Sequence, residues 1–242
     1  MTSTTSLAVE AAGLRKRFGR LAVLQGLDLA VPVGGVTAIV GPNAAGKSTF
    51  IKSVLGLVRP DRGKLEVLGD DPRGGDAYRA RVGYMPQAAR FPENLTAREV
   101  LRLLTGLRGH PGEQDRELLE AFALDDQLDK PVRTLSGGTR QKLNAVIAFL
   151  FRPELVILDE PTAGLDPVAS AQLKDKIRRE AGRGTTILLT SHLMGEVEEL
   201  ADRVAFLLDG QVRFHGTVDE LRTETGETKL ERAVARLMER AT

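Results

Sequence analysis

The chain has 242 residues, with 34 basic against 33 acidic side chains and a formal net charge of +1. That balance sets up no bulk field for nucleic acid or an anionic membrane surface, so no nucleic-acid partner is expected. The chain has no cysteine, which excludes disulfides and thiolate metal sites and fits a reducing cytosol.

The length suffices for one large domain or a domain with an inserted subdomain. The longest apolar runs, 36–40 and 145–151, fall far short of the roughly 20 residues a membrane-spanning helix needs. Residues 1–9 are rich in Ser and Thr, without the basic and apolar regions of a secretion signal. Any work at a membrane would need another polypeptide to do the spanning.

In chain order, residues 7–11, 36–40, 63–67, 155–158, 186–190 and 204–208 read as strands, from β-branched content and flanking turn residues. Residues 46–57 and 168–181 read as the helices that follow two of them. Strand, glycine loop and helix in repetition predict a parallel α/β sheet with ligand at the strands' C-terminal ends. Residues 88–151 differ: helical periodicity at 98–107, 114–122 and 138–151, a loop break at 109–112, and no convincing strand. They read as a helical subdomain set between two parts of the core, 1–87 and 152–220. The tail, 221–242, holds Leu230, Ala233, Val234, Leu237 and Met238 at the spacing of an amphipathic helix packed on its own core.

Gly41-Pro42-Asn43-Ala44-Ala45-Gly46-Lys47-Ser48-Thr49 follows the strand 36–40 and leads into a helix, which satisfies G-x-x-x-x-G-K-[ST] in its required context. Glycines at both ends let the backbone curl so that successive N–H groups point inward, and the helix N-terminus favours an anion. Lys47 would place a positive charge on the β- and γ-phosphates, and the Ser48 hydroxyl can ligate Mg²⁺. The loop by itself says nucleoside triphosphate and nothing about the use of its hydrolysis.

The run 155–158 is continuously apolar, as a strand buried on both faces must be, and it ends in Asp159 and Glu160. An acidic turn after a strand is common. Alongside the phosphate loop it acquires a purpose: Asp159 to hold the metal and Glu160 to polarise an attacking water. Leu135-Ser136-Gly137-Gly138-Thr139-Arg140-Gln141 stands at the start of a helix. It is either a second anion-binding surface or a simple cap built on Ser136, and spacing alone leaves both open.

Taken together these segments resemble the ATP-binding subunit of an ABC transporter, over roughly residues 7–221. The resemblance implies a P-loop NTPase fold, RecA-like: a mostly parallel α/β sheet with an antiparallel β edge and an inserted helical subdomain. It implies a Mg²⁺-dependent ATPase that dimerises around two ATP, with residues 135–141 closing over the nucleotide of the opposite subunit. Phe18 matches the aromatic that stacks on adenine. Gln87 matches the glutamine that joins core to helical subdomain, senses Mg²⁺ and contacts the membrane subunit. Residues 163–166, ending in Asp166, resemble the dimer-contact loop, and His192 matches the switch histidine that reaches the γ-phosphate. Ala44 stands where this family usually has glycine; a small Cβ should be tolerated if the local φ is negative.

The resemblance also implies permease subunits on a separate chain, a periplasmic substrate-binding or accessory protein, and a peripheral place on the cytoplasmic face of the inner membrane. More narrowly, residues 164–168, 174–179, 196–202 and 225–233 look like the ATPase subunit of nitrous-oxide reductase maturation, linked to supply of its copper site. This chain itself offers no copper site, since His110 and His215 lack metal-ligand spacing. The alternatives are an exporter ATPase for another cargo and a soluble ABC ATPase outside transport.

Overall fold

The computed structural model of the chain describes residues 6–109 and 114–240. The expected loop break, apart from Gly109, and His110 therefore lie outside the described residues, as do residues 1–5.

A six-stranded sheet carries the fold. Its order is β5 (Val82–Met85), β6 (Leu155–Asp159), β7 (Thr186–Thr190), β3 (Val36–Val40), β8 (Arg203–Leu208) and β9 (Gln211–Thr217). Neighbours pair in parallel from β5 to β8, and β9 adds an antiparallel edge. Alternation explains the apolar runs. Val36, Ala38, Val40, Val156, Leu158, Ile187, Leu189, Val204 and Phe206 point into one core. Ile39, Leu155, Ile157, Leu188, Ala205 and Leu207 point into another. With both faces covered, no strand residue in these runs needs to be polar.

The second core lies between this sheet and a three-stranded antiparallel sheet, β2 (Leu21–Pro32), β1 (Leu7–Phe18) and β4 (Arg62–Val67), with α1 (Lys47–Val54) contributing Phe50, Ile51 and Val54. β1 runs seven residues past the expected 7–11, and β2 was not expected. One face of this sheet is open, so charged residues such as Arg15, Arg17 and Asp28 punctuate the pattern. Register shifts between Ala11 and Leu14 break it further.

The other face of the main sheet is covered by helices. These are α2 (Ala97–Leu107), α3 (Glu117–Ala121), α4 (Gly137–Phe149), α5 (Pro167–Gly182), α6 (Met194–Leu200), α7 (Val218–Thr225) and α8 (Leu230–Arg240). A capping box on Thr96 and Glu99 starts α2. Ser136 caps α4 and Asp166 caps α5, each accepting from the backbone N–H three residues on. Residues 88–109 and 114–151 hold no strand. Helix α4 lies so close on β5 that a Cβ on Gly83 would stand 2.0 Å from the Ala148 carbonyl oxygen. Only glycine permits that approach. The tail forms α8, which buries Leu230, Ala233, Val234 and Leu237 on the core and leaves Met238 exposed. No helix among the described residues is long and apolar enough to cross a membrane.

Candidate functional site

Because β3, β5, β6 and β7 are parallel, their C-terminal ends open on one side, and there a cleft of about 290 Å³ forms. Asn43, Ala44, Ala45, Gly46, Lys47, Ser48 and Thr49 line it, facing Gln87, Asp159 and Glu160. Three segments separated by some 40 and 70 residues are thus gathered by strand order alone. Leu21 and Val23 of β2 complete the lining. Sequence reading missed both, because β2 itself was not recognised.

Gly41 and Gly46 take φ of +149° and +108°, values that L side chains rarely adopt. A Cβ at Gly41 would sit 2.1 Å from the Leu207 carbonyl oxygen on β8. The ammonium of Lys47 turns back onto its own loop, donating to the Gly41 and Pro42 carbonyls at 2.6 and 2.9 Å. Burial lowers its pKa, and the nearby Glu160 and Asp159 carboxylates oppose that shift. Ser48 stays exposed in the cleft. Ala44 has φ of +64°, so the condition set for its easy tolerance, a negative φ, is not met. Its strain is a property of the loop.

Asp159 accepts a hydrogen bond from the Thr190 hydroxyl at 2.5 Å, across the β6–β7 pair. Glu160 has φ of +54°. Strain of this kind collects at functional sites, because only a surrounding structure that over-determines the residue can hold it. Here the Glu160 N–H donates to the Thr190 carbonyl at 3.1 Å. The Glu160 carboxylate lies 2.7 Å from His192 Nδ1 and 3.4 Å from the His192 backbone N–H. Glu160 is nearly enclosed and His192 largely exposed. The histidine therefore sits over the carboxylate from the solvent side, held by a turn in which Ser191 bonds Glu196.

Residues 135–141 do not line this cleft. Leu135 is buried as an anchor, while Ser136 and Gly137 are exposed at the α4 N-terminus. Gly138 approaches the Gly164 carbonyl, and Lys142 one turn on pairs with Asp166 at 2.7 Å. The hydrogen bond from Lys142 holds the Asp166 carboxyl below the usual range. Asp166 therefore spends its side chain on capping α5 and on Lys142, and it does not line the phosphate cleft. Gln141, one turn into α4, is buried rather than presented. Phe18 is half-exposed at the end of β1 with Lys16 Nζ 5.2 Å from its ring centroid, and it does not line the cleft.

The model of the ABC transporter family matches residues 24–163. The chain is 41% identical to the daunorubicin resistance ATP-binding protein DrrA3 of Streptomyces coeruleorubidus, over 93% of this chain and 72% of that protein. It is 38% identical to the Nod factor export ATP-binding protein I of Ralstonia nicotianae, over 91% and 70% of the two chains. Among solved structures, an ATP-binding subunit of an ABC transporter superposes with a TM-score of 0.90 at 33% identity, covering 96% of this chain and all of the other.

The chain belongs to the ABC transporter family. It is an ATP-binding ATPase with the α/β architecture expected from the sequence. Within this ABC subunit, the cleft presents only oxygen donors beside the phosphate loop: the Ser48 hydroxyl, the Gln87 amide, and the Asp159 and Glu160 carboxylates. Such a set suits a hard cation that keeps water and phosphate ligands, as Mg²⁺ does. The other acidic cluster, Asp115, Glu117 and Glu180, is already occupied by the buried Lys176 ammonium.

Proposed function

We propose that two copies of this chain close head-to-tail on two ATP molecules and that the closure drives export through membrane-spanning subunits on a separate polypeptide. One observation carries this reading: Ser136 and Gly137 are exposed at the α4 N-terminus, and the Ser136–Gly138 turn does not line the chain's own phosphate cleft. An anion-binding helix end that its own nucleotide does not use is suited to a nucleotide held by a second copy.

In this reading the amides of Gly41 to Thr49 wrap the phosphates, and Lys47 leaves the Gly41 and Pro42 carbonyls to pair with the β- and γ-oxygens. Phe18 stacks on adenine. Ser48, Gln87 and Asp159 would hold magnesium, which would offset the charge of the phosphates. Glu160, oriented by its strained backbone, takes the proton of the attacking water. His192 swings from Glu160 to the γ-phosphate, and with Lys47 and the partner's signature amides stabilises the developing charge. Each such contact is worth on the order of 3 kcal/mol. Asp166 and its neighbours meet the second copy.

The export assignment is supported by the names of the relatives, a drug-resistance protein and a Nod factor export protein. The likeness to the nitrous-oxide reductase maturation ATPase rests on residues 164–168, 174–179, 196–202 and 225–233 alone. A groove among Leu57, Tyr84, Leu104, Arg108, Ile147 and Phe151 offers the apolar and aromatic surface a membrane subunit would grip. In this reading the chain sits peripherally on the cytoplasmic face. Residues 88–151 would move as a unit with it, between core segments 1–87 and 152–220, with 221–242 as a packed tail.

The test is Glu160→Gln, which keeps the shape and removes the base. With ATP and magnesium the variant should run as a dimer in light scattering and turn over at least 100-fold more slowly. A monomer under those conditions overturns the shared-site reading.

A further inference from the structure

We infer that Asn144 is a positioning residue that ties the helix bearing the Ser136–Gly138 turn to the segment that delivers Gln87 to the cleft. The inference rests on the proposed role of Gln87 for its catalytic consequence, and on geometry alone for the positioning itself.

Asn144 lies in the middle of α4 and is 2% exposed. A buried amide in a helix interior is a poor helix former and is costly unless its polar atoms are matched. Its Nδ2 donates to the Pro86 carbonyl at 2.8 Å and to Gln141 Oε1 at 3.3 Å. Pro86 follows β5 directly and precedes Gln87. A proline has its φ fixed by the ring, so the direction in which the chain leaves β5 is governed by the ψ of Pro86, and its carbonyl reports that angle. The Asn144 bond grips that carbonyl. Gln87 is exposed, yet it lines the phosphate cleft, and no side-chain bond of its own holds it there among the described residues.

The same helix begins at Ser136, eight residues before Asn144. A rigid α-helix transmits displacement along its length, so a shift of the Ser136–Gly138 turn moves the donor that holds Pro86. The buried Nε2 of Gln141, one turn before Asn144, has no partner among the described residues. The Gln141–Asn144 pair is thus one acceptor short as it stands, which makes it a place where α4 can settle differently at little net cost in hydrogen bonds. Occupation of the exposed turn by a ligand would in this way be felt at Gln87 in the neighbouring cleft.

Two variants separate positioning from packing. Asn144→Leu keeps the branched outline and removes the donor; Asn144→Asp keeps the volume and places a carboxylate against the Pro86 carbonyl. Hydrogen exchange of residues 85–90 should quicken about five- to tenfold in both, the range expected for one lost hydrogen bond. The kcat for ATP should fall by a similar factor while KM stays within about twofold. Combined with Gln87→Ala, either variant should add nothing to the loss caused by Gln87→Ala alone. Unchanged exchange in a folded variant, or fully additive losses, would overturn the inference. Faster exchange with full turnover in Gln87→Ala would keep the positioning role and remove Gln87 from catalysis.

Discussion

Ala44→Gly puts a magnitude on the strain in the phosphate loop. Ala44 is exposed at φ +64°, so its cost is backbone conformation rather than collision. An L residue in the left-handed region costs roughly 1–2 kcal/mol. Glycine removes that cost but gains freedom in the unfolded chain, which takes back about 0.4–1 kcal/mol. The net gain is about 0–1.6 kcal/mol with a midpoint of about 0.8 kcal/mol, a rise in Tm of about 2–3 °C at that midpoint for a chain of this length. The angle is set by the path of the loop between β3 and α1, which the bound phosphates follow rather than create, so the Kd for ATP should change by less than about twofold. Thermal melting and titration with ATP read the two quantities independently. A tenfold tighter Kd with an unchanged Tm would refute the reasoning, since strain would then arise only when ATP binds.

Gly41→Ala should behave oppositely: its Cβ meets the Leu207 carbonyl at 2.1 Å, so a loss of about 3 kcal/mol or more in chemical denaturation is expected, along with loss of ATP binding. Lys176→Ala should cost about 3–5 kcal/mol, because it leaves the Asp115, Glu117 and Glu180 carboxylates facing one another without their shared cation. The pH dependence of that difference follows from two shifts. The hydrogen bond from Lys176 holds the Glu117 carboxyl below its ordinary 4.5, so its contribution is complete above that value and lost as pH falls through the folded one. Burial opposes the Lys176 charge, but bonds to Asp115, Glu117 and Glu180 outweigh it and raise its pKa above 10.5; that contribution is complete below 10.5 and lost as pH rises further. The stability gap between wild type and Lys176→Ala should therefore be widest between about pH 4.5 and 10.5 and narrow on both sides, and a gap that persists undiminished at pH 3 would contradict this account.

The sequence by itself determined whatever is local. Residues 41–49 are legible as a phosphate loop because glycine, lysine and serine act there within one strand–loop–helix, where spacing in sequence is spacing in space. The buried strands at 36–40, 155–158 and 186–190 were legible because burial on both faces leaves an uninterrupted apolar run. The tail helix was legible because its apolar stripe has a helical period.

Tertiary structure decided the rest. The half-exposed β2, and with it Leu21 and Val23 in the cleft, escaped because Gln25, Gly26 and a bulged register interrupt its period of two. The short β5 received no element from the sequence; it is a strand because it pairs with β6, and Gly83 lets α4 lie against it. Pairings such as Thr190 with Asp159, His192 with Glu160, and Asn144 with Pro86 join residues 31, 32 and 58 apart. Periodicity can say that a side chain is buried or exposed, but the identity of its partner is set by strand order and helix packing. The φ of Ala44 belongs to the same class: composition gave the residue, and only the path of the loop against β8 fixed the angle it must hold.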